Sequence, residues 1–118
     1  MIDPIELTVG VVAEALPGVP VSTEVPQARP DRLVVVTLEG MRDDGFLTTA
    51  NMGLTVWGTS DRDAAGMTWA ALDALRDESL THPYLSAAQL ESMSRDEWTS
   101  TGQARYYART QLIINTDE

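Results

Sequence analysis

Cysteine is absent from the 118 residues, which rules out both a disulfide framework and a thiolate metal site. Long apolar runs are missing as well. The only wholly aliphatic stretch is Leu33, Val34, Val35 and Val36, against the ~20 residues that a membrane-spanning helix requires. The opening residues Met1, Ile2, Asp3 and Pro4 show no basic segment followed by an apolar one, so no secretory signal is expected. The expectation is a soluble protein made in a reducing cytosol, with no membrane partner. Basic residues are scarce: 8 stand against 18 acids, for a net charge of −10. Proteins that grip DNA draw their affinity from Lys and Arg on phosphates, so this balance argues against nucleic-acid binding. An acidic surface repels polyanions, a repulsion that is either incidental or of use where DNA has to slide past.

The residues of a catalytic kit are also missing. His82 is the single histidine; it precedes Pro83 at a helix end and has no serine elbow or second histidine to work with. Asp61 and Asp63 read as favourable charge at a helix N-terminus, and Asp43 and Asp44 as the tip of a loop. Neither pair sits in a spacing that would hold calcium. Gly40 and Gly45 bracket that loop without a helix behind them, so they form no phosphate cradle. No pair among the 18 acids is singled out for acid–base work. No enzyme, cofactor or metal is expected.

What is present spells helix, three strands, helix, two strands. The first helix has Asp3 as cap, Pro4 at the first position and Glu6 three residues past the cap. Ile5, Val9, Val12 and Leu16 form its expected core stripe, which leaves Leu7 and Val11 as a spare apolar side. Pro17 and Gly18 end it. Residues 19–25, bounded by prolines, read as an edge strand. Residues 27–31 read as a loop, and residues 32–39 as a strand apolar on both faces. Residues 40–46 read as a glycine-bounded loop. Ala50, Met52, Leu54 and Val56 alternate with polar neighbours in the next strand, so that the two strands make a long hairpin. Ser60 opens the second helix with Asp63 three residues on. Ala64, Ala65, Thr68, Ala71, Leu72 and Leu75 are its expected buried face, flanked by Met67 and Trp69, and His82-Pro83 stops it. Residues 84–93 read as a strand with a bulge at Ala87-Ala88, and residues 94–102 as a polar loop.

The final strand, residues 103–115, shows Tyr106, Ala108, Thr110, Leu112 and Ile114 on one face. The other face carries Arg105, Tyr107, Arg109, Gln111, Ile113 and Asn115. One side suits a core and the other, with its arginines, suits a partner. Of the tryptophans, Trp57 and Trp69 lie in regular elements, while Trp98 lies in the polar loop and is the one expected to meet a partner. The fold class expected is α/β (α+β): a mainly antiparallel sheet of about five strands with two helices on one face, in one domain spanning 1–118.

Several stretches together resemble a known family. They are Ala15-Leu16-Pro17-Gly18-Val19-Pro20-Val21, the strand Arg32-Leu33-Val34-Val35-Val36-Thr37, the step Leu54-Thr55-Val56-Trp57-Gly58 into Ser60-Asp61-Arg62-Asp63-Ala64-Ala65, and the closing strand from Gly102 to Leu112. They are similar, in order and over nearly the whole chain, to the tail terminator proteins of long-tailed bacteriophages, also called head–tail joining or tail completion proteins. The resemblance rests on size and polarity rather than on invariant residues, and it brings no catalytic residue. It implies a homo-oligomeric ring, commonly a hexamer, at the tail–neck junction of the virion and assembled in the host cytoplasm. Such a ring caps the tail tube protein, stops tube growth and meets the head-connector or neck proteins, while DNA only passes through its lumen. Leu7, Val11, Met41, Phe46, Trp98, Arg105 and Arg109 are then the candidate interface residues, with Asp43 and Asp44 the candidates for the lumen. A different class also suits the charge: an acidic DNA mimic that occupies a host protein's nucleic-acid site. Such mimics array carboxylates in tracks, and here they are scattered. A small enzyme would need a pocket with convergent polar groups.

Overall fold

A computed structural model describes residues 2–96 and 103–115. In chain order the elements are α1 (Pro4–Ala15), β1 (Val21–Ser22), β2 (Leu33–Asp43), β3 (Leu47–Trp57), α2 (Asp61–Thr81), β4 (Leu85–Arg95) and β5 (Arg105–Asn115). The sheet runs β1-β2-β3-β5-β4. All its pairings are antiparallel except β1 with β2, which is parallel. Both helices pack on one face, and the expected α+β architecture is the one observed.

The strands owe their pairing to period-two patterning. In β3, Ala50, Met52, Leu54 and Val56 are all fully buried, and in β5 so are Ala108, Leu112 and Ile114. Together with Val34 and Val36 of β2 they make the sheet side of one core. Val12 of α1 with its C-cap Leu16, and Met67, Ala71, Leu72 and Leu75 of α2, close over it. Side chains on the two faces of a strand cannot share a core. Leu33, Val35 and Trp57 accordingly form a second, small cluster on the open face of the sheet. This is why residues 33–36 read as apolar on both faces.

The helices are set by their caps. Asp3 accepts the Ile5 N–H at 2.9 Å, with Pro4 at the start of α1. Ser60 accepts the Asp63 N–H at 3.0 Å. The Asp63 carboxylate reaches back to the Thr59 N–H at 2.9 Å and forks onto Arg32. Gly58 exists for this joint: a Cβ there would stand 2.5 Å from the Ala64 nitrogen, so only glycine lets the first turn of α2 lie on the end of β3. His82 ends α2, and its Nδ1 accepts the Tyr84 N–H at 3.1 Å.

Several expectations are corrected. The buried line of α1 is Pro4, Thr8, Val12 and Leu16, with Ile5 and Val9 on one flank and Leu7 and Val11 on the other. Leu7 and Val11 are therefore half-buried against the core and are no opposite face. A threonine can hold the centre of that line because its hydroxyl donates to the Pro4 carbonyl at 2.7 Å, which leaves no polar group unmet. In α2, Met67 is buried and Ala65 only half-buried. The edge strand expected over 19–25 shrinks to Val21–Ser22, and Pro20 and Pro26 on either side of it bring no N–H to a ladder. The first four residues of the loop expected over 40–46 are strand, and only 44–46 form the turn. β2 runs on to Asp43 with a bulge at Glu39, between Leu38 and Gly40, and the turn itself is short. Strand β4 carries two irregularities, at Ser86 and at Glu91, in place of the one expected at Ala87-Ala88.

Candidate functional site

The open face of the sheet is crossed by a polar network built around Gly53. A Cβ at Gly53 would meet Glu39 Oε1 at 2.5 Å and Thr37 Oγ1 at 2.7 Å, so the glycine is the floor on which the Glu39 side chain lies. The bulge turns Glu39 onto this face, where it meets the Tyr107 hydroxyl and lies 3.4 Å from Arg109 Nε. Arg109 is also 3.2 Å from Glu91 of β4. Arg105 pairs with Asp96 at 2.9 Å, and its guanidinium lies 5.7 Å from the centre of the Trp57 ring. Arg29 approaches the same ring to 5.2 Å and bonds to Gln103. The arginine face foreseen in β5 is real, but its charges are answered within the chain. A partner that wanted those guanidiniums would first have to displace three acids.

The end of the molecule that carries the β2–β3 turn is different. Asp43 accepts the Gly45 N–H at 2.8 Å, and Asp44 accepts those of Phe46 at 3.1 Å and Leu47 at 2.8 Å. Gly45 supplies the positive φ of the turn. The Leu47 and Phe46 amides hold the Asp44 carboxyl below its ordinary range. Asp43 and Asp44 therefore build the turn, a role the sequence reading did not give them.

Around this turn lie Met41 on the helix side of the sheet, Leu47 on its open side and Phe46 in the turn itself. Asn115, opposite Leu47, donates to the Tyr84 carbonyl at 2.7 Å, which puts the α2–β4 junction at the same end. Among the described residues, five of the eight large apolar side chains left exposed belong to this end: Met41, Phe46 (76%), Leu47, Leu80 (78%) and Tyr84; Leu38, opposite Met52, is exposed halfway along the sheet. Leu38 was hidden from sequence reading by the bulge. Leu80 was in view, because it falls off the buried stripe of α2.

Two further surfaces are concave. Leu7 and Val11 line a groove between the helices whose rim is Asp3, Glu6, Glu14 and Glu78, continuing to Asp77. A polar hollow at the start of α2 is lined by Asp31, Thr59, Ser60, Asp61, Arg95 and Gln103. Its groups are spent on one another: Arg95 on Asp61 at 3.1 Å, Ser60 on the cap, and Gln103 on the Asp31 carbonyl at 2.7 Å. No cluster of three or more His, Cys, Asp or Glu poised for a metal occurs among the described residues. Among them, no helix is long and apolar enough to cross a membrane. Trp98 lies outside the described residues.

No family model matches the sequence, and no curated protein does. The fold, by contrast, is shared. A chain from the virion of a native gene transfer agent particle superposes with a TM-score of 0.68 at 12% identity, over 94% of this chain and 91% of that one.

Proposed function

We propose that this chain is a structural subunit of a phage-type virion, acting as a ring-forming tail terminator at the neck. The observation that carries the reading is the end-to-end likeness in fold to a chain of a virion particle. The order of sequence stretches similar to tail terminators points the same way. The surface supports it too. An apolar end built of Met41, Phe46, Leu80 and their neighbours costs free energy while it faces water and regains it when covered, as a subunit of an assembly would cover it.

In this reading the ring, of six copies, caps the tail tube protein and meets the head-connector or neck proteins on its other side. DNA crosses the lumen without being held. The acid of the chain supports passage without grip. Glu6, Glu14, Asp77 and Glu78 on the helix layer form no ion pair among the described residues, whereas Arg105 and Arg109 on the open sheet face are paired. Asp43 and Asp44 are assigned to the lumen through the hairpin they close. The tests of that assignment are Asp43→Asn and Asp44→Asn, which keep an acceptor oxygen for the turn while removing the charge.

The test of the reading itself is disruption of the gene in a strain that makes the particle, followed by electron microscopy. Filled heads separated from tails of irregular, excessive length are expected. Joined particles of normal length would refute the terminator role.

A further inference from the structure

Strand β2 is an edge strand over most of its length, because β1 pairs with it only at Val34 and Val35. Two hydrogen bonds fix which of its groups look outward. Val34 donates its N–H to the Pro20 carbonyl on the outer side, and Asp44 donates its N–H to the Leu47 carbonyl on the inner side. Alternation from these points, with Glu39 as the extra residue of the bulge, turns the N–H and C=O of Val36, Leu38, Met41 and Asp43 outward. The Val36 N–H is taken by β1, since the parallel bridge of Ser22 with Val35 runs through the Ser22 carbonyl, but no strand of the sheet lies beside Leu38, Met41 and Asp43. The bulge has a second effect. Leu38 faces Met52 and Met41 faces Ala50, so two residues three apart, which would lie on opposite faces of a regular strand, here share the helix side. Both are exposed. Free main-chain groups and apolar side chains thus coincide at the same positions, the combination that strand addition uses.

We infer that the outer edge of β2, residues 38–43, accepts an extended strand from a second copy of this chain, and that the donor is the neighbour's β4. The inference rests on the ring reading and names its interface. The sheet has one other long open edge, β4, on its far side, so each copy carries both halves of the contact. A contact between two different edges repeats from copy to copy and closes into a ring when the rotation allows. Bulges in β2 and β4 bend and twist their strands, as a closing sheet requires. Charge fits as well. Arg42 has no acid within ion-pair distance among the described residues, and it shares the open sheet face with Glu91 of β4, so docking brings opposite charges together.

The experiment is sedimentation velocity on the purified full chain across a range of concentrations, for the wild type and three variants. Met41→Pro deletes one outward N–H without touching the hairpin ladder. The double variant Leu38→Lys with Met41→Lys keeps every main-chain group but charges the edge. Met41→Thr keeps both the N–H and the strand propensity. The wild type and Met41→Thr should sediment as the ring, while Met41→Pro and the double lysine variant shift to monomer with unchanged circular dichroism. If Met41→Pro fails to fold, the double lysine variant alone decides. A ring that persists in the folded edge variants overturns the edge pairing and leaves the ring reading intact. A wild type that is monomeric throughout overturns both.

Discussion

Gly58 has no room for a side chain, since the backbone of Ala64 in the first turn of α2 occupies the space a Cβ would take. A backbone obstacle cannot rotate away, so Gly58→Ala should cost about 1–3 kcal/mol, read as a lower urea midpoint; an unchanged midpoint would contradict the packing of α2 on β3. Gly53 is crowded by the tips of Glu39 and Thr37, which can move. Gly53→Ala should therefore cost less, while detaching Glu39 from Tyr107 and Arg109. Asp44 makes a pH prediction. Its carboxyl is held below the ordinary value of 3.8 by the Leu47 and then the Phe46 amide. A depressed folded value means a contribution that is present above 3.8 and lost as pH falls through the lower folded value. The stability difference between the wild type and Asp44→Asn should therefore be constant near neutrality and shrink on acidification below about 3.8. A difference that persisted into strong acid would show that the charge is not what the turn uses.

At the scale of the elements, α1 gives a sharp test of how its buried line is satisfied. Thr8 lies fully buried between Pro4 and Val12, and its hydroxyl is spent on the Pro4 carbonyl of its own helix. Thr8→Val keeps the shape, so its effect should stay within about 1 kcal/mol, whereas Val12→Ala opens a cavity under the same helix and should cost about 2 kcal/mol or more. Comparable losses in thermal unfolding would refute that placement. Both helices, their caps, the β2–β3 hairpin and the two faces of β5 were legible in the sequence, because each depends on local spacing. The rotation of α1 was not. Ile5, Val9, Val12 and Leu16 on one side and Leu7 and Val11 on the other satisfy a helical stripe almost equally, and only the fit against α2 and the sheet decides between them. The bulge at Glu39 escaped for the same reason. One inserted residue leaves no mark in the composition, yet it changes the face of every side chain beyond it. The arginine face was visible in β5, but the acids that answer it come from β2, β4 and the residue after β4, too far along the chain for spacing to reveal.

The whole molecule measures 45 × 24 × 24 Å, apolar at the hairpin end and charged around the start of α2, with acids along the helix layer that form no ion pair among the described residues. The net charge of −10 is the excess of 18 acids over 8 bases. The division between apolar and charged surfaces separates two kinds of contact by their response to salt. An interface made of main-chain bonds and apolar side chains should survive raised ionic strength, because screening weakens exposed charge pairs and leaves apolar burial intact. An assembly that fell apart in salt would point to the arginine face or the acidic groove instead. The measurement that bears most directly on the account is native mass spectrometry of the wild-type full chain at micromolar concentration. The account predicts a single closed oligomer of six 12.9 kDa subunits, retained in high salt before transfer to the spray buffer. A monomer or dimer at every concentration, the behaviour expected of an acidic mimic, would contradict it.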